Sequence, residues 1–279
     1  MRMLPKIPLA EWISEFVNWL YAVLGPLFNF ISDVVRAVIG GIDTMLGTVP
    51  WWLLILVFAG LAWYRSGWRL ALGTAVGLVL IYDLRLWEDM VNTLVLVLVA
   101  SVLSIVIGLP LGIWSARRAG VYRVLSPLLD LMQTMPAFVY LVPVLIFFNI
   151  GVVPALFATV VFAMPPAIRL TRLGILQVPA QLVEAARAFG ASDTQLLRKV
   201  QIPIAMPSIK AGINQTIMLS LSMVVIAAMI GAGGLGADVM SALETIDVGR
   251  GFEAGISIVI LAIVLDRLTQ QSRGVREKQ

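Results

Sequence analysis

The fold is decided by residues 91–115, which read VNTLVLVLVASVLSIVIGLPLGIWS and contain no charged side chain. A helix needs about 20 apolar residues to cross the hydrocarbon core of a bilayer, so this stretch predicts a membrane-spanning helix. The whole chain of 279 residues has the same character: 60% are hydrophobic, 13% are charged, and the mean hydropathy is +0.96. Soluble domains carry about 25% charged residues. The composition therefore predicts a polytopic membrane protein and argues against a soluble enzyme or a nucleic-acid-binding protein.

Further candidate spans lie on both sides of this stretch, at 47–64, 68–82, 124–149, 152–170, 205–231 and 253–268. The first two of them are short and could form a tilted hairpin that does not cross fully. The charged loops alternate in sign: 83–89 and 232–253 are net negative, whereas 117–123 and 169–203 are net positive. Because positively charged loops stay in the cytoplasm, about seven spans are predicted, with the N-terminus outside and the C-terminus inside.

The segment before these spans has a different pattern. Apolar residues recur at three- and four-residue steps from Leu9 to Ile31, which predicts one or two amphipathic helices over residues 8–45. Gly25-Pro26 is expected to kink or break them. Such a helix either lies at the membrane surface or packs on the flank of the protein. The chain is thus divided into an amphipathic N-terminal segment (1–46), a transmembrane domain (47–270) and a cytoplasmic tail (271–279).

The cytoplasmic stretch 171–204 is longer than the other loops and carries helix signals of its own. An apolar stripe from Val178 to Phe189 predicts a helix that Gly190 ends. Ser192-Asp193-Thr194-Gln195 then has the form of a capping box that begins a second helix. Pro203 either ends this helix or marks the start of the next span. We call residues 178–203 the elbow, a shape suited to docking into a partner's cleft.

The elbow also carries a family resemblance. Glu184-Ala185-Ala186, Gly190 and Val200-Gln201-Ile202-Pro203 have the spacing of EAA-x3-G-x9-I-x-L-P, the pattern of the coupling loop in ABC importer permeases. Val200 and Ile202 are conservative departures from it. Over residues 45–270 the chain resembles, more narrowly, the permeases for glycine betaine, proline betaine and related osmoprotectants. The segments that carry this second resemblance are 129–140, 148–154, 162–166 and 223–236.

The resemblance implies an all-α, type I importer (MetI-like) transmembrane domain in a bacterial plasma membrane. It implies a permease homodimer, two copies of a separate ATPase subunit, and an external substrate-binding protein or domain. No lysine follows a glycine, so the chain has no P-loop. We therefore expect ATP and Mg²⁺ in the partner ATPase, no cofactor on this chain, and a permease rather than an enzyme. The residues implied in ATPase docking are Glu184, Ala185, Ala186, Arg187, Gly190, Ser192 and Pro203.

Candidates for the translocation path or gate are less sharply defined: Asp130, Gln133, Pro136, Tyr140, Asn149, Asn214, Met218, Gly233 and Gly236. Asp130 and Lys210 lie within spans, and they either pair or meet backbone groups separately, with Lys210 also able to reach the interface. The polar side chains either line the path or bond between helices. Prolines such as Pro136 act as hinges or simply bend helices. Residues 231–236 predict a helix end and a flexible external loop.

Two further points concern the substrate and the energy source. Trp114, Phe138, Tyr140, Phe147 and Phe148 could face a trimethylammonium group or sit in interfacial belts. The alternative function is an ion-coupled secondary transporter, which would need inverted repeats and midplane ionisable groups. The sequence shows no internal repeat and contains neither His nor Cys.

Overall fold

The computed structural model describes residues 8–269, and every regular element within that range is helical, as predicted. The predicted tail at 271–279 lies outside the described residues. The helices are α1 Leu9–Thr48, α2 Trp51–Ser66, α3 Trp68–Asp83, α4 Trp87–Arg117, α5 Ala119–Thr134, α6 Ala137–Phe148, α7 Val152–Leu176, α8 Ala180–Ala188, α9 Asp193–Leu196, α10 Ile202–Ser222, α11 Val224–Ala228, α12 Leu235–Thr245 and α13 Val248–Thr269. A π-helical turn, Leu197–Gln201, joins α9 to α10.

The helices differ in their capacity to span a bilayer. By length and hydropathy α1, α4, α7 and α13 can each cross, and α5 with α6 passes as one broken span bent by 105°. The helices α2 and α3 have 16 residues each. At about 1.5 Å per residue each is about 24 Å long, short of a hydrocarbon core of about 30 Å. They form the expected hairpin, and the predicted span at 205–231 is divided at Met223 into α10 and α11.

The centre of the molecule is built from α4, α7 and α10, which approach one another closely at glycines. A β-carbon added to Gly108 of α4 would lie 2.9 Å from Ala167 Cβ of α7. One added to Gly174 of α7 would lie 2.7 Å from Ser208 Cβ of α10. Small residues allow this approach, which is how helices pack in a membrane without a hydrophobic driving force. The three helices therefore leave no room for a methyl group at these contacts.

The N-terminal helix α1 is one continuous helix of 40 residues, so the break expected at Gly25-Pro26 is wrong. A proline removes one backbone hydrogen bond, and the packing of the residues after Pro26 holds that part of the helix against the protein. Val35 and Ile42 pack on the central core, and the Phe28 ring lies 4.7 Å from that of Phe147 in α6. Of the two arrangements expected for this segment, α1 adopts packing along the protein's own flank.

Candidate functional site

The elbow has the predicted order of helix, glycine turn and helix. The first helix, α8, ends at Ala188 and is capped by Phe189, and Gly190 follows with φ of +78°. The Ala191 N–H donates to the Ala186 carbonyl at 3.0 Å and the Gly190 N–H to the Arg187 carbonyl at 2.9 Å. These two bonds and the left-handed residue form a Schellman cap, which favours glycine because a β-carbon disfavours positive φ.

The second half of the elbow begins with the predicted capping box. The Gln195 N–H donates to Ser192 Oγ at 3.3 Å, and the Ser192 N–H donates to Gln195 Oε1 at 2.9 Å. Pro203 lies in the first turn of α10, so it marks the start of that helix rather than the end of the elbow helix. Arg187 and Asp193 face each other across the glycine turn at 3.9 Å, but both side chains are exposed and the pair adds little stability.

The elbow has an anchored base and a free face. At its base Val178 and Leu196 are buried, and Leu197 packs in a cluster with Ile175 of α7 and Ile209 of α10. The helix α8, by contrast, has no buried residue. Glu184, Ala185, Arg187 and Ser192 are exposed, Ala186 is half-buried, and Phe189 is 92% exposed. Of the predicted apolar stripe, Val178 is buried at the base, whereas Leu182 and Phe189 are exposed and open to a partner.

Just before the elbow, two arginines of α7 bind α5. Arg169 Nη2 lies 2.5 Å from Asp130 Oδ1, and the Arg172 guanidinium carbon lies 3.4 Å from the centroid of the Tyr122 ring. The expected partners of Asp130, Lys210 or backbone groups, are therefore corrected: its ion-pair partner is Arg169. In the sequence Arg169 falls where the candidate span 152–170 meets the charged loop 169–203, whereas in the structure α7 continues to Leu176.

The break between α5 and α6 falls at Met135-Pro136, as the proline predicts. Pro136 is exposed and caps α6, and the adjoining segment bends by 105°. The buried Tyr140 hydroxyl donates to the Met132 carbonyl and lies 3.4 Å from the Met135 carbonyl. It thereby satisfies backbone oxygens that the interrupted helix leaves without donors. Tyr140 therefore links α6 to the end of α5 across the break. Gln133 is exposed on the surface of the chain.

The polar residues of α10 divide into two kinds. Asn214 bonds between helices: its Nδ2 donates to Asp266 Oδ1 at 2.9 Å, and Thr269 Oγ1 donates to its Oδ1 at 2.7 Å. Ser220 and Ser222 instead donate to carbonyls four residues back in their own helix, so the interhelical bonds expected of them are wrong. Half-buried Met218 accepts one of these bonds at its backbone oxygen.

The glycine segment 231–236 follows the end of α11, as predicted, and parts of it pack closely against α4 and α11. Gly234 has φ of +71°, and a β-carbon there would lie 2.5 Å from Thr93 Oγ1 of α4. The buried Leu235 N–H donates to the same hydroxyl at 2.9 Å. A β-carbon on Gly236 would lie 2.4 Å from the Val224 carbonyl oxygen. Gly233 has room around it but also has positive φ, 72°.

The start of the glycine segment contacts the turn that follows α6. The Gly151 N–H donates to the Ile230 carbonyl at 2.8 Å. Asn149 follows the last residue of α6, has φ of +60° and is exposed, so it is a turn residue. Three candidate gate positions, Asn149, Gly233 and Gly236, thus belong to one region, whereas Asp130 and Asn214 belong to others.

The remaining predicted features have structural rather than ligand-binding surroundings. Phe148 stacks on Phe157 at 4.4 Å, and both Phe147 and Phe148 contact Phe28 of α1. Among residues 8–269, no group of three or more acidic side chains is placed to hold a metal ion. The arrangement contains an exposed helix on a packed base and a pair of helices joined at a sharp bend.

Comparison with known proteins agrees with this arrangement. Residues 108–272 match the family model described as "Binding-protein-dependent transport system inner membrane component". The chain is a member of this permease family.

The permease has close relatives along nearly its whole length. It is 55% identical to the glycine betaine transport system permease protein OpuAB of Bacillus subtilis, over 97% of this chain and 96% of the relative. It is 52% identical to the glycine betaine/carnitine transport permease protein GbuB of Listeria monocytogenes, over 97% of each. It is 50% identical to the glycine betaine/proline betaine permease ProW of Escherichia coli, over 97% of this chain and 78% of the relative. These relatives identify it as an inner-membrane ABC importer permease of the glycine betaine uptake family.

The fold is shared with a solved transporter. An inward-facing structure of the MetNI methionine ABC transporter aligns with a TM-score of 0.57 and 26% identity, covering 62% of the permease and 88% of the solved chain. The predicted MetI-like, type I importer fold is therefore confirmed. The ABC importer function is likewise favoured over an ion-coupled secondary transporter.

Proposed function

We propose that this permease imports glycine betaine and related quaternary ammonium osmoprotectants by alternating access. Relatives at 55%, 52% and 50% identity carry glycine betaine in their names, with carnitine or proline betaine added in two of them. The likeness extends over 97% of this chain, so it includes the spans as well as the elbow.

The observation that carries the mechanism is the elbow, with its anchored base and open face. Two copies of a separate ATPase, which binds ATP and Mg²⁺, dock there on a permease homodimer. Glu184 and Arg187 are exposed beside the apolar surface of Leu182 and Phe189, which together offer charge and apolar contacts to a cleft. Once docked, α8 is held between the ATPase and the packed base of the elbow, so a movement of the ATPase reaches the membrane helices through that base.

The contacts of the elbow indicate which helices its movement would reach. Its base packs on α7 and α10, so a movement of the elbow moves Ile175 and Ile209. Further along α7, Arg169 holds Asp130 of α5. This same end of α5 leads into the joint at Pro136, where a change of the 105° bend would move α6 relative to α5.

The proposal also fixes the sidedness of the chain. The elbow lies in the cytoplasm, the N-terminus outside and the C-terminus inside, and an external binding protein or domain delivers the solute. The chain contains no cysteine, so single cysteines are clean topology reporters. With a membrane-impermeant maleimide on intact cells, Thr245→Cys should be labelled and Thr194→Cys should be labelled only after lysis. The reverse pattern would refute this orientation.

Uptake into proteoliposomes tests the function itself. The permease is reconstituted with its cognate ATPase and binding protein, with ATP on the ATPase side, and is offered glycine betaine, proline betaine, carnitine, choline and proline. ATP-dependent uptake of a betaine is expected. Uptake without ATP that follows a Na⁺ or H⁺ gradient would instead establish a secondary transporter.

A charge reversal on the elbow separates docking from folding. Glu184→Lys should abolish ATP-driven uptake while the permease still inserts, because the exposed carboxylate meets the partner. The control is Glu244→Lys, the same change at an exposed glutamate of α12, which should leave uptake unchanged. Equal loss of uptake in both variants, or in neither, would contradict the docking role.

A further inference from the structure

A cleft lies where α1 ends, α2 begins, α3 ends and α4 begins. It has a volume of about 620 Å³, large enough for a small organic molecule. Three stretches of the chain contribute to its lining: residues between Asp43 and Trp51, Tyr82, and residues between Trp87 and Asn92. None of its lining residues belongs to the elbow or to the α5–α6 joint.

One side of the cleft is aromatic. The rings of Trp51 and Tyr82 stack with centroids 4.2 Å apart and planes 21° apart. Trp87 meets Tyr82 edge to face, with centroids 6.1 Å apart. Trp51 and Tyr82 remain 37% and 41% exposed, so part of each ring is open to a ligand. The three rings hold one another in place and need no ligand to form the wall.

The charges of the cleft have one sign. Its charged lining residues are Asp43 and Glu88, both acidic. Thr44 and Thr48 line the cleft too, and their hydroxyls already donate to the carbonyls of Gly40 and Met45 at 2.7 and 2.8 Å. These hydroxyls therefore offer a ligand acceptor oxygens. The lining favours a cation and disfavours a carboxylate or phosphate.

We propose that this cleft binds an organic cation of the trimethylammonium class, exemplified by choline. The electron-rich faces of Trp and Tyr attract such a cation, and the two carboxylates add attraction of longer range. Trp and Tyr also collect at membrane interfaces without binding any ligand. An interfacial belt, however, does not call for two carboxylates in the same cavity, whereas a cation site does.

The proposed ligand differs from the proposed substrate. Glycine betaine has the same trimethylammonium head but adds a carboxylate, which the acidic lining would repel. The cleft therefore selects the cation over the zwitterion. If the cleft does not bind a cation, the proposed transport of betaines still stands, because that proposal rests on other residues.

Saturation-transfer NMR of the choline methyl protons tests the proposal on the full-length permease in phosphatidylglycerol nanodiscs. Choline should bind more tightly than glycine betaine and than 3,3-dimethylbutanol, its neutral isostere. The apparent Kd for choline should rise about threefold in Glu88→Gln or Asp43→Asn and about tenfold in the double variant. The matched control, Glu244→Gln, removes an exposed carboxylate outside the cleft and should change nothing.

The outcomes are distinct. Equal binding of choline and its neutral isostere, an unchanged Kd in the double variant, or the absence of saturation transfer would each overturn the proposal. The same titration in discs that contain phosphatidylcholine identifies the source of the cation. If phosphatidylcholine suppresses the free-choline signal of the wild type, the cleft binds the lipid headgroup. If the signal is unchanged, the cleft binds a soluble cation.

Discussion

Replacing Gly190 by alanine isolates the backbone geometry of the elbow from every other contact. Gly190 has φ of +78°, yet a β-carbon added there would have nothing within 4 Å. The substitution therefore introduces no clash. It acts only by making the left-handed conformation of the Schellman cap less favourable.

The magnitude follows from that conformation. A non-glycine residue pays about 1–2 kcal/mol to adopt the left-handed helical region. No residue of α8 is buried, so the undocked elbow can relax and avoid this cost. The docked elbow must keep the cap, so the cost falls on docking. Affinity for the ATPase subunit should drop about 5- to 30-fold. Gly190→Asn should cost less, since asparagine adopts this conformation more readily.

The assay titrates the ATPase subunit against nanodisc-embedded permease and measures the Kd, with ATP-driven uptake measured in parallel. Melting temperatures confirm that each variant is folded. An unchanged Kd for Gly190→Ala would refute the coupling of elbow shape to docking. Equal loss of affinity in the asparagine and alanine variants would also refute it, because the loss would then not depend on how readily each residue adopts the left-handed conformation.

Three further predictions concern the rest of the chain. Asp130→Asn should slow uptake while changing stability by less than about 1 kcal/mol, because its pair with Arg169 is partly exposed; exchanging the two charges should restore uptake, and failure to do so would exclude the pair from coupling. Gly236→Ala should destabilise the permease by about 1–3 kcal/mol, measured as a lowered melting temperature, because its β-carbon would meet a backbone oxygen at 2.4 Å. Burial, and then the nearby Asp89 carboxylate, raise the pKa of Asp238, although Arg250 opposes this. When the pKa of a carboxyl is higher in the folded than in the unfolded state, the protein loses stability as the pH rises above the unfolded-state pKa. Asp238→Asn should therefore raise the melting temperature at neutral pH and less so at acidic pH; an equal effect at both would contradict the shift.

The features that could be predicted from sequence are those encoded locally. The glycine stop at Gly190, the capping box at Ser192 and the joint at Pro136 each depend on residues within a few positions of one another. Backbone conformation and capping are short-range effects, so the sequence specifies them directly. The family spacing of the elbow then indicated what docks there.

The features that were missed depend on how helices rotate and pack. Asp130 was given the wrong partner because the length of α7 and its rotation toward α5 are set by tertiary contacts. The contacts of Gly234 and Leu235 with α4 were not predicted, because a glycine-rich composition does not show what a segment packs against. Pro26 was expected to break α1 because the sequence does not show the core against which that helix packs.

The glycine contacts among α4, α7 and α10 have a use for spectroscopy. Helices with no space for a methyl group between them cannot slide or splay without separating, so these three should turn as one body. A pair of spin labels placed on two of them, away from the contacts, should keep a constant separation throughout the transport cycle. That pair would serve as an internal ruler against which a label pair across Gly190, or across the joint at Pro136, reports motion.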